Sequence, residues 1–297
     1  MDVNVSLHSS QLPDPRALIT LIKPITWFPP MWAFLCGAVS SGVPLGENIS
    51  TLLIGLLLAG PIVCGMSQAA NDWCDRHVDA INEPERPIPS GRVPGNWGLW
   101  IAVGMSLLAL ATGATLGLLG LIATTFAVVF AWIYSAEPLR AKRSGIWGPG
   151  LVALSYEALP WVTAAAVLLN EVPPWPVCVV ALLYAAGAHG IMTLNDFKAL
   201  TGDRITGVRS LPVVLGPERA ARIACAVMVA AQVAVIGFLF ALGAALQAGA
   251  IGILLLVQLA AMRVLLTDPK GRAPWYNGTG VTLYVSGMMI AALALSG

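Results

Sequence analysis

Nine apolar stretches constrain this chain more than any motif it carries. They run at about 27–42, 51–70, 96–113, 116–135, 146–168, 176–194, 220–242, 246–266 and 278–296. A helix needs roughly 20 such residues to cross the hydrocarbon of a bilayer, with ~17 as a lower limit. The first stretch is the shortest. Backbone polar groups find no water in lipid, so segments of this kind close their hydrogen bonds as helices. With 57% hydrophobic and 10% charged residues over 297 positions, a single soluble core could not hide the apolar surface. The expected fold class is therefore all-α integral membrane, with nine transmembrane helices.

The charges between the stretches set the orientation. All sixteen Lys and Arg residues fall on one side of a nine-span arrangement, and the other side carries Glu47 and Glu171. The positive-inside rule makes the basic side cytoplasmic, with the N-terminus inside and the C-terminus periplasmic. Trp27, Trp97, Trp100, Trp147 and Trp175 stand at span ends, where interfacial aromatics belong. Residues 1–26 read as a cytoplasmic lead-in with an amphipathic helix on the membrane. They hold Asp2, Asp14, Arg16, Lys23 and prolines where a signal peptide would have an uninterrupted apolar run. Residues 27–297 form one nine-helix domain. A formal net charge of +1 excludes a nucleic-acid partner, which requires a basic surface. Cys36, Cys64, Cys74, Cys178 and Cys225 form no CxxC and read as buried small apolar residues.

Two polar segments on the basic side carry the chemistry, 71–92 and 195–212. In the first, Asn71, Asp75 and Asp79 recur at i, i+4 and i+8, with Asp72 beside them. If the second span continues as a helix, these side chains stack on one face. Like charges at that spacing repel, and a bound divalent cation removes the repulsion. Oxygen-only ligands favour a hard ion, and Mg²⁺ prefers one or two carboxylates together with phosphate oxygens. The second segment also opens with Asn-Asp (Asn195, Asp196) and places another Asp seven residues on (Asp203), as Asp79 follows Asp72. Arg86 and Arg209 follow at similar distances. Four spans separate the two segments, which suggests a weak repeat of four-helix units with a site between them. Facing acidic strips with arginines suit a diphosphate bridged through Mg²⁺. The plain alternative is a pair of solvated polar loops. Tyr134–Arg143 adds a basic patch, read either as a clamp for diphosphate oxygens or as a positive-inside anchor.

Asn-Asp-x-x-Asp-x-x-x-Asp after the second span, a second Asn-Asp segment after the sixth, and nine spans resemble the UbiA-type intramembrane prenyltransferases. Three strings resemble the (bacterio)chlorophyll synthases within that superfamily, those of purple bacteria most closely: Lys23–Trp32, Asp79–Gly91, and Asn195–Lys198 continued through Gly202–Arg204 to Ser210–Pro212. The second segment departs from the superfamily pattern, with Ala199 and Thr201 where further acids are common, which bears on how many metal ions it holds.

The resemblance implies a UbiA-like bundle in the bacterial inner (intracytoplasmic) membrane, with its site on the cytoplasmic face. It also implies Mg²⁺-dependent transfer of a geranylgeranyl or phytyl group from its diphosphate to the propionate of bacteriochlorophyllide. Asn71, Asp72, Asp75, Asp79, Asp196 and Asp203 are then the metal and catalytic residues, with Asn195 as a polar partner. Arg86, Arg140, Lys142, Lys198 and Arg209 are the candidate diphosphate clamps. Association with a geranylgeranyl reductase or with photosynthetic assembly factors follows from the same likeness. Two polar residues inside spans remain. His189 either contacts the pigment or is packed against a neighbouring helix. Glu157 either lines the pocket or makes a helix–helix hydrogen bond. A chlorophyll synthase, a quinone or haem prenyltransferase, a secondary transporter and a pigment-binding scaffold are the rival readings. The acids cluster at one face and not at the bilayer midplane, which disfavours transport.

Overall fold

The computed structural model describes residues 12–297. The part of the lead-in at 1–11 lies outside the described residues. A short helix, Pro15–Ile22, opens the described chain, and its Asp14 cap accepts from the Arg16 amide at 3.0 Å. Ala17 and Leu21 are buried, and Leu21 packs with Met66, Ala69 and Ala70 of a later helix. The lead-in helix is thus docked on the bundle through one face.

The spans are α1 (Phe28–Ser40), α2 (Ile49–Asn82), α3 (Trp97–Thr115), α4 (Gly117–Ser135), α5 (Trp147–Leu169), α6 (Trp175–Asn195), α7 (Pro217–Ala241), α8 (Ala245–Leu265) and α9 (Pro269–Leu295). Among the described residues, eight helices are long and apolar enough to cross a bilayer unaided. The remaining helix, α1, has 13 residues, about 20 Å at 1.5 Å per residue, short of the ~30 Å hydrocarbon core. Only together with the preceding segment Pro15–Thr26, from which it is bent by 52°, is α1 long and apolar enough to count as a ninth. Proline explains the break: Pro24, Pro29 and Pro30 cannot supply the amides that a continuous helix needs.

Two boundaries differ from expectation. α2 runs twelve residues beyond the apolar stretch that ends at 70, so Asn71–Asn82 is helix and not loop. Its 34 residues span roughly 51 Å, and its last turns project past the hydrocarbon. α9 begins at Pro269, ahead of the expected 278. Pro269 takes an early helical position and the Asp268 side chain accepts from the Gly271 amide at 3.1 Å, which starts the helix on polar residues.

Two wide turns interrupt the spans. Leu58–Cys64 in α2 surrounds Pro61, and Leu154–Ala158 in α5 precedes Pro160. Each proline removes an amide and crowds the carbonyl four residues back, and a π-turn absorbs the mismatch. The two turns are joined across the bundle: Tyr156 OH accepts from Cys64 Sγ at 3.3 Å and from Gln68 Nε2 at 3.1 Å.

Elsewhere small residues let helices approach closely, as in lipid-embedded packing generally. A Cβ on Gly37 would lie 2.0 Å from the Trp161 carbonyl oxygen, and one on Gly190 would lie 2.4 Å from that of Ala224. Trp161 stacks on Tyr184 with centroids 5.9 Å apart, and Tyr184 meets Tyr284 edge-on at 5.2 Å. Gln232 donates to Gln258 at 2.7 Å, and Gln258 donates to Tyr276 at 2.9 Å, tying α7, α8 and α9 together. The result is a filled half, α6–α9, beside a half that leaves room between α1, α2, α4 and α5.

Candidate active site

That room is a cavity of about 810 Å³. Its polar end is built from the projecting end of α2, the Tyr134–Ser144 connection, and the segment after α6. Because α2 stays helical, Asn71, Asp75 and Asp79 point the same way, and all three line the cavity. From the other side come Asn195 at the end of α6, Asp196 and Lys198 in a 3₁₀ turn (Asp196–Ala199), and Asp203 in a short helix (Leu200–Thr206). Ala199 and Thr201 also line the wall, so this strip contributes two carboxylates, Asp196 and Asp203.

The bases are already placed among the acids. Arg140 adopts a left-handed backbone (φ 36°), which a non-glycine residue rarely does without compensation. Its guanidinium donates to Asp75 at 2.7 Å and to Glu137 at 3.2 Å. Lys142 pairs with the other Asp75 oxygen. Burial pulls the Lys142 pKa down, and Asp75 opposes it. Arg86 donates to Asp79 at 2.9 Å and pairs with Glu83. Burial works against the Arg86 charge, yet Asp72, Asp79 and Glu83 outweigh it and raise its pKa. Asp196 has no ion pair among the described residues. Burial first, then the like charge of Asp203, push its pKa up to about 7 against the pull of Lys198. A carboxylate so placed is one that a cation would stabilise.

Four expected residues lie elsewhere. Asp72 is buried behind the strip, where one of its oxygens accepts from Lys23 at 2.7 Å and from Arg86 at 3.3 Å. A helix turns 100° per residue, so the neighbour of an inward-facing Asn71 looks away from the cavity. Arg209 is exposed and outside the lining. Its backbone joins the two connections instead, with Arg209 N donating to Arg143 O at 3.0 Å and Gly145 N donating to Arg209 O at 2.9 Å. His189 stands within hydrogen-bond reach of the Ile146 carbonyl at 3.2 Å, and Glu157 is buried; neither lines the cavity.

Other residues matter more than their sequence signal suggested. Lys23 anchors Asp72 from 49 positions away; the string Lys23–Trp32 held it, without a reason for it. Asn277 donates to Asn195 Oδ1 at 2.7 Å, fixing that side chain's orientation; nothing in its local sequence marks it. Tyr134, Gln68 and Tyr156 line the cavity, where the sequence shows only a span end and two polar positions in apolar runs.

The donor set suits a hard divalent ion. It is oxygen-rich, and among the described residues no three His, Cys, Asp or Glu side chains converge on one point. Mg²⁺ prefers one or two carboxylates, with phosphate oxygens and water completing its shell, and a lining of this composition fits that preference. Below the polar end the cavity becomes apolar, lined by Leu58, Ala59, Ala123, Ala127 and Phe34.

A membrane bundle with opposed acidic helix ends above an apolar chamber has the build of an intramembrane transferase of long apolar groups. The model of the UbiA prenyltransferase family matches residues 26–291, and the chain belongs to that family. It is 65% identical over 297 residues, covering 100% of this chain and 98% of the relative, to the "Bacteriochlorophyll synthase 33 kDa chain" of Cereibacter sphaeroides. Against the chloroplastic chlorophyll synthase of Oryza sativa subsp. japonica it is 35% identical, over 94% of this chain and 76% of that one. Among solved structures, a UbiA homolog from Archaeoglobus fulgidus described as bound to DMAPP and Mg²⁺ shares the fold. Its TM-score is 0.64 at 16% identity, covering 94% of this chain and 98% of that one.

Proposed function

We propose that the chain transfers a geranylgeranyl or phytyl group from its diphosphate to the propionate carboxylate of bacteriochlorophyllide a, the last step of bacteriochlorophyll synthesis. One observation carries the reaction class: a single cavity has acids and bases at one end and an apolar chamber behind them. The acceptor rests on the 65% full-length identity to a bacteriochlorophyll synthase chain, against 35% to a chlorophyll synthase.

In this reading Asn71, Asp75, Asp79, Asp196 and Asp203 hold Mg²⁺, which supplies neutralisation of the leaving diphosphate's charge. Asp72 supports them by fixing Lys23 and Arg86. Arg86, Arg140, Lys142 and Lys198 bind the diphosphate oxygens. The bond from C1 of the allylic group to the diphosphate oxygen breaks with its electron pair on the diphosphate. A propionate oxygen forms the new ester bond to C1. The acceptor is already a carboxylate near neutral pH, so no general base is required. The chamber walls keep water from the allylic carbon as charge develops there. Residues 27–297 form one prenyltransferase domain, preceded by a lead-in and set in the bacterial inner membrane. The acidic helix ends face the cytoplasm in this reading, which the placement of all sixteen basic residues on one side supports.

Purified protein with Mg²⁺ and geranylgeranyl or phytyl diphosphate tests this, with bacteriochlorophyllide a and chlorophyllide a offered in parallel. Esterified pigment and released diphosphate in equal amounts, favouring bacteriochlorophyllide, are expected. A preference for chlorophyllide refutes the acceptor assignment, and diphosphate uptake into vesicles without ester formation refutes the reaction.

A further inference from the structure

We propose that Phe34, laid against Gly55, is the floor of the apolar chamber and limits the donor to a chain of four isoprene units. The inference rests on the prenyl-transfer reading above and adds a chain-length rule to it. The chamber can be measured along α2, because residues from both its ends line it. Asn71 begins the acidic strip, and Gly55 is the lining residue nearest the start of α2. They are sixteen helical steps apart, roughly 24 Å at 1.5 Å each. An extended main chain of sixteen carbons, about 1.25 Å per bond when carbon–carbon bonds are near 1.5 Å, spans roughly 20 Å. That is a geranylgeranyl or a phytyl tail, which have equal main-chain length. A fifth isoprene unit brings the tail to about 25 Å on the same measure and against the floor.

The floor is closed by packing. A Cβ built on Gly55 would lie 1.9 Å from Phe34 Cζ, so only glycine admits the ring there. Phe34 is 1% exposed. Behind it Ala38, Leu52 and Ala164 fill the interior, with Leu45 and Leu168 packed on them. The hydroxyls of Thr124 and Thr163, which also line the chamber, donate to carbonyls of their own helices, and the bases lie at the mouth, so the tail enters end first with its diphosphate held at the mouth. The side walls stay wide because α4 presents Ala123 and Ala127 to the chamber.

Two variants of the full chain move the floor in opposite directions. Phe34→Ala deepens the chamber by removing the ring. Ala59→Phe raises the floor by about one helical turn, ~6 Å or one isoprene unit, because Ala59 lies four positions nearer the mouth. Each protein is assayed with Mg²⁺, bacteriochlorophyllide a and all-trans diphosphates of ten, fifteen, twenty and twenty-five carbons. Pocket-size discrimination of this kind amounts to about tenfold or more. The wild type is expected to prefer twenty carbons over twenty-five by that factor. Phe34→Ala is expected to erase the difference, and Ala59→Phe to shift the optimum to fifteen carbons. Unchanged chain-length profiles in both variants, with esterification intact, overturn the floor alone. Absence of ester from wild type with every donor overturns the transfer reading and the floor with it. If Phe34→Ala fails to fold, the shift expected of Ala59→Phe decides the matter.

Discussion

Asp72→Asn tests whether Asp72 is a structural carboxylate in a motif whose other acids we propose as metal ligands. Asp72 is buried, and one of its oxygens holds two cations, Lys23 at 2.7 Å and Arg86 at 3.3 Å. Breaking a buried ion pair costs about 3–5 kcal/mol, because a desolvated charge is left uncompensated. Here the cost is smaller for two reasons. Lys23 is 26% exposed and regains water, and Arg86 keeps Asp79 and Glu83. We expect a loss of about 2–3 kcal/mol, near the upper end for a hydrogen bond to a charged group. For a chain of this size that lowers the melting temperature by roughly 5–10 °C, read by thermal denaturation in detergent. Lys23→Met should give most of the same loss, and the double variant should add little to it, since both remove one interaction. The Mg²⁺ concentration for half-maximal esterification should stay near wild type in the Asp72→Asn protein that remains folded. A normal melting temperature combined with a tenfold rise in the Mg²⁺ requirement would refute the reasoning and return Asp72 to the metal.

Asp75→Ala removes the acid paired with Lys142 and one of the two paired with Arg140 and should lower esterification about 10²–10³-fold, the usual scale for losing a preorganised electrostatic group; near-normal turnover by folded protein contradicts its assignment. The Asp196 carboxyl, pushed up to about 7, must lose its proton to bind a cation. The apparent Mg²⁺ affinity should therefore be full above pH 8 and fall as pH drops through 7 towards 6, by about tenfold per unit at most; a titration independent of pH between 6 and 8 speaks against Asp196 as a ligand. Gly37→Val would drive a side chain into the Trp161 carbonyl, where even a Cβ lies 2.0 Å away. It should cost upwards of about 3 kcal/mol, seen as a lower melting temperature or loss of the monodisperse peak on size exclusion.

Much of the site was legible because its signal is local. The i, i+4, i+8 spacing of Asn71, Asp75 and Asp79 predicts a shared face wherever the chain is helical, and all three line the cavity. Asp72 broke the pattern for the same reason, one residue being 100° of turn. Hydropathy placed the end of the second span near residue 70, although the helix continues to Asn82. Hydropathy reports where lipid ends, while the helix stops only where its hydrogen bonds do. The short first crossing, bent at its prolines, is the counterpart at the other end.

What the sequence alone determined are properties that each segment carries by itself: apolar length, the side on which the charges fall, and the helical period of the acids. Those suffice for a nine-span bundle and for one face with carboxylates in register. The tertiary structure decided what depends on segments distant along the chain. Lys23 reaches Asp72, Asn277 reaches Asn195, and Phe34 settles on Gly55. No local pattern encodes these pairings, because each arises from how whole helices tilt and approach once small residues let their backbones close. They determine which acids face the cavity and where Phe34 lies against its wall.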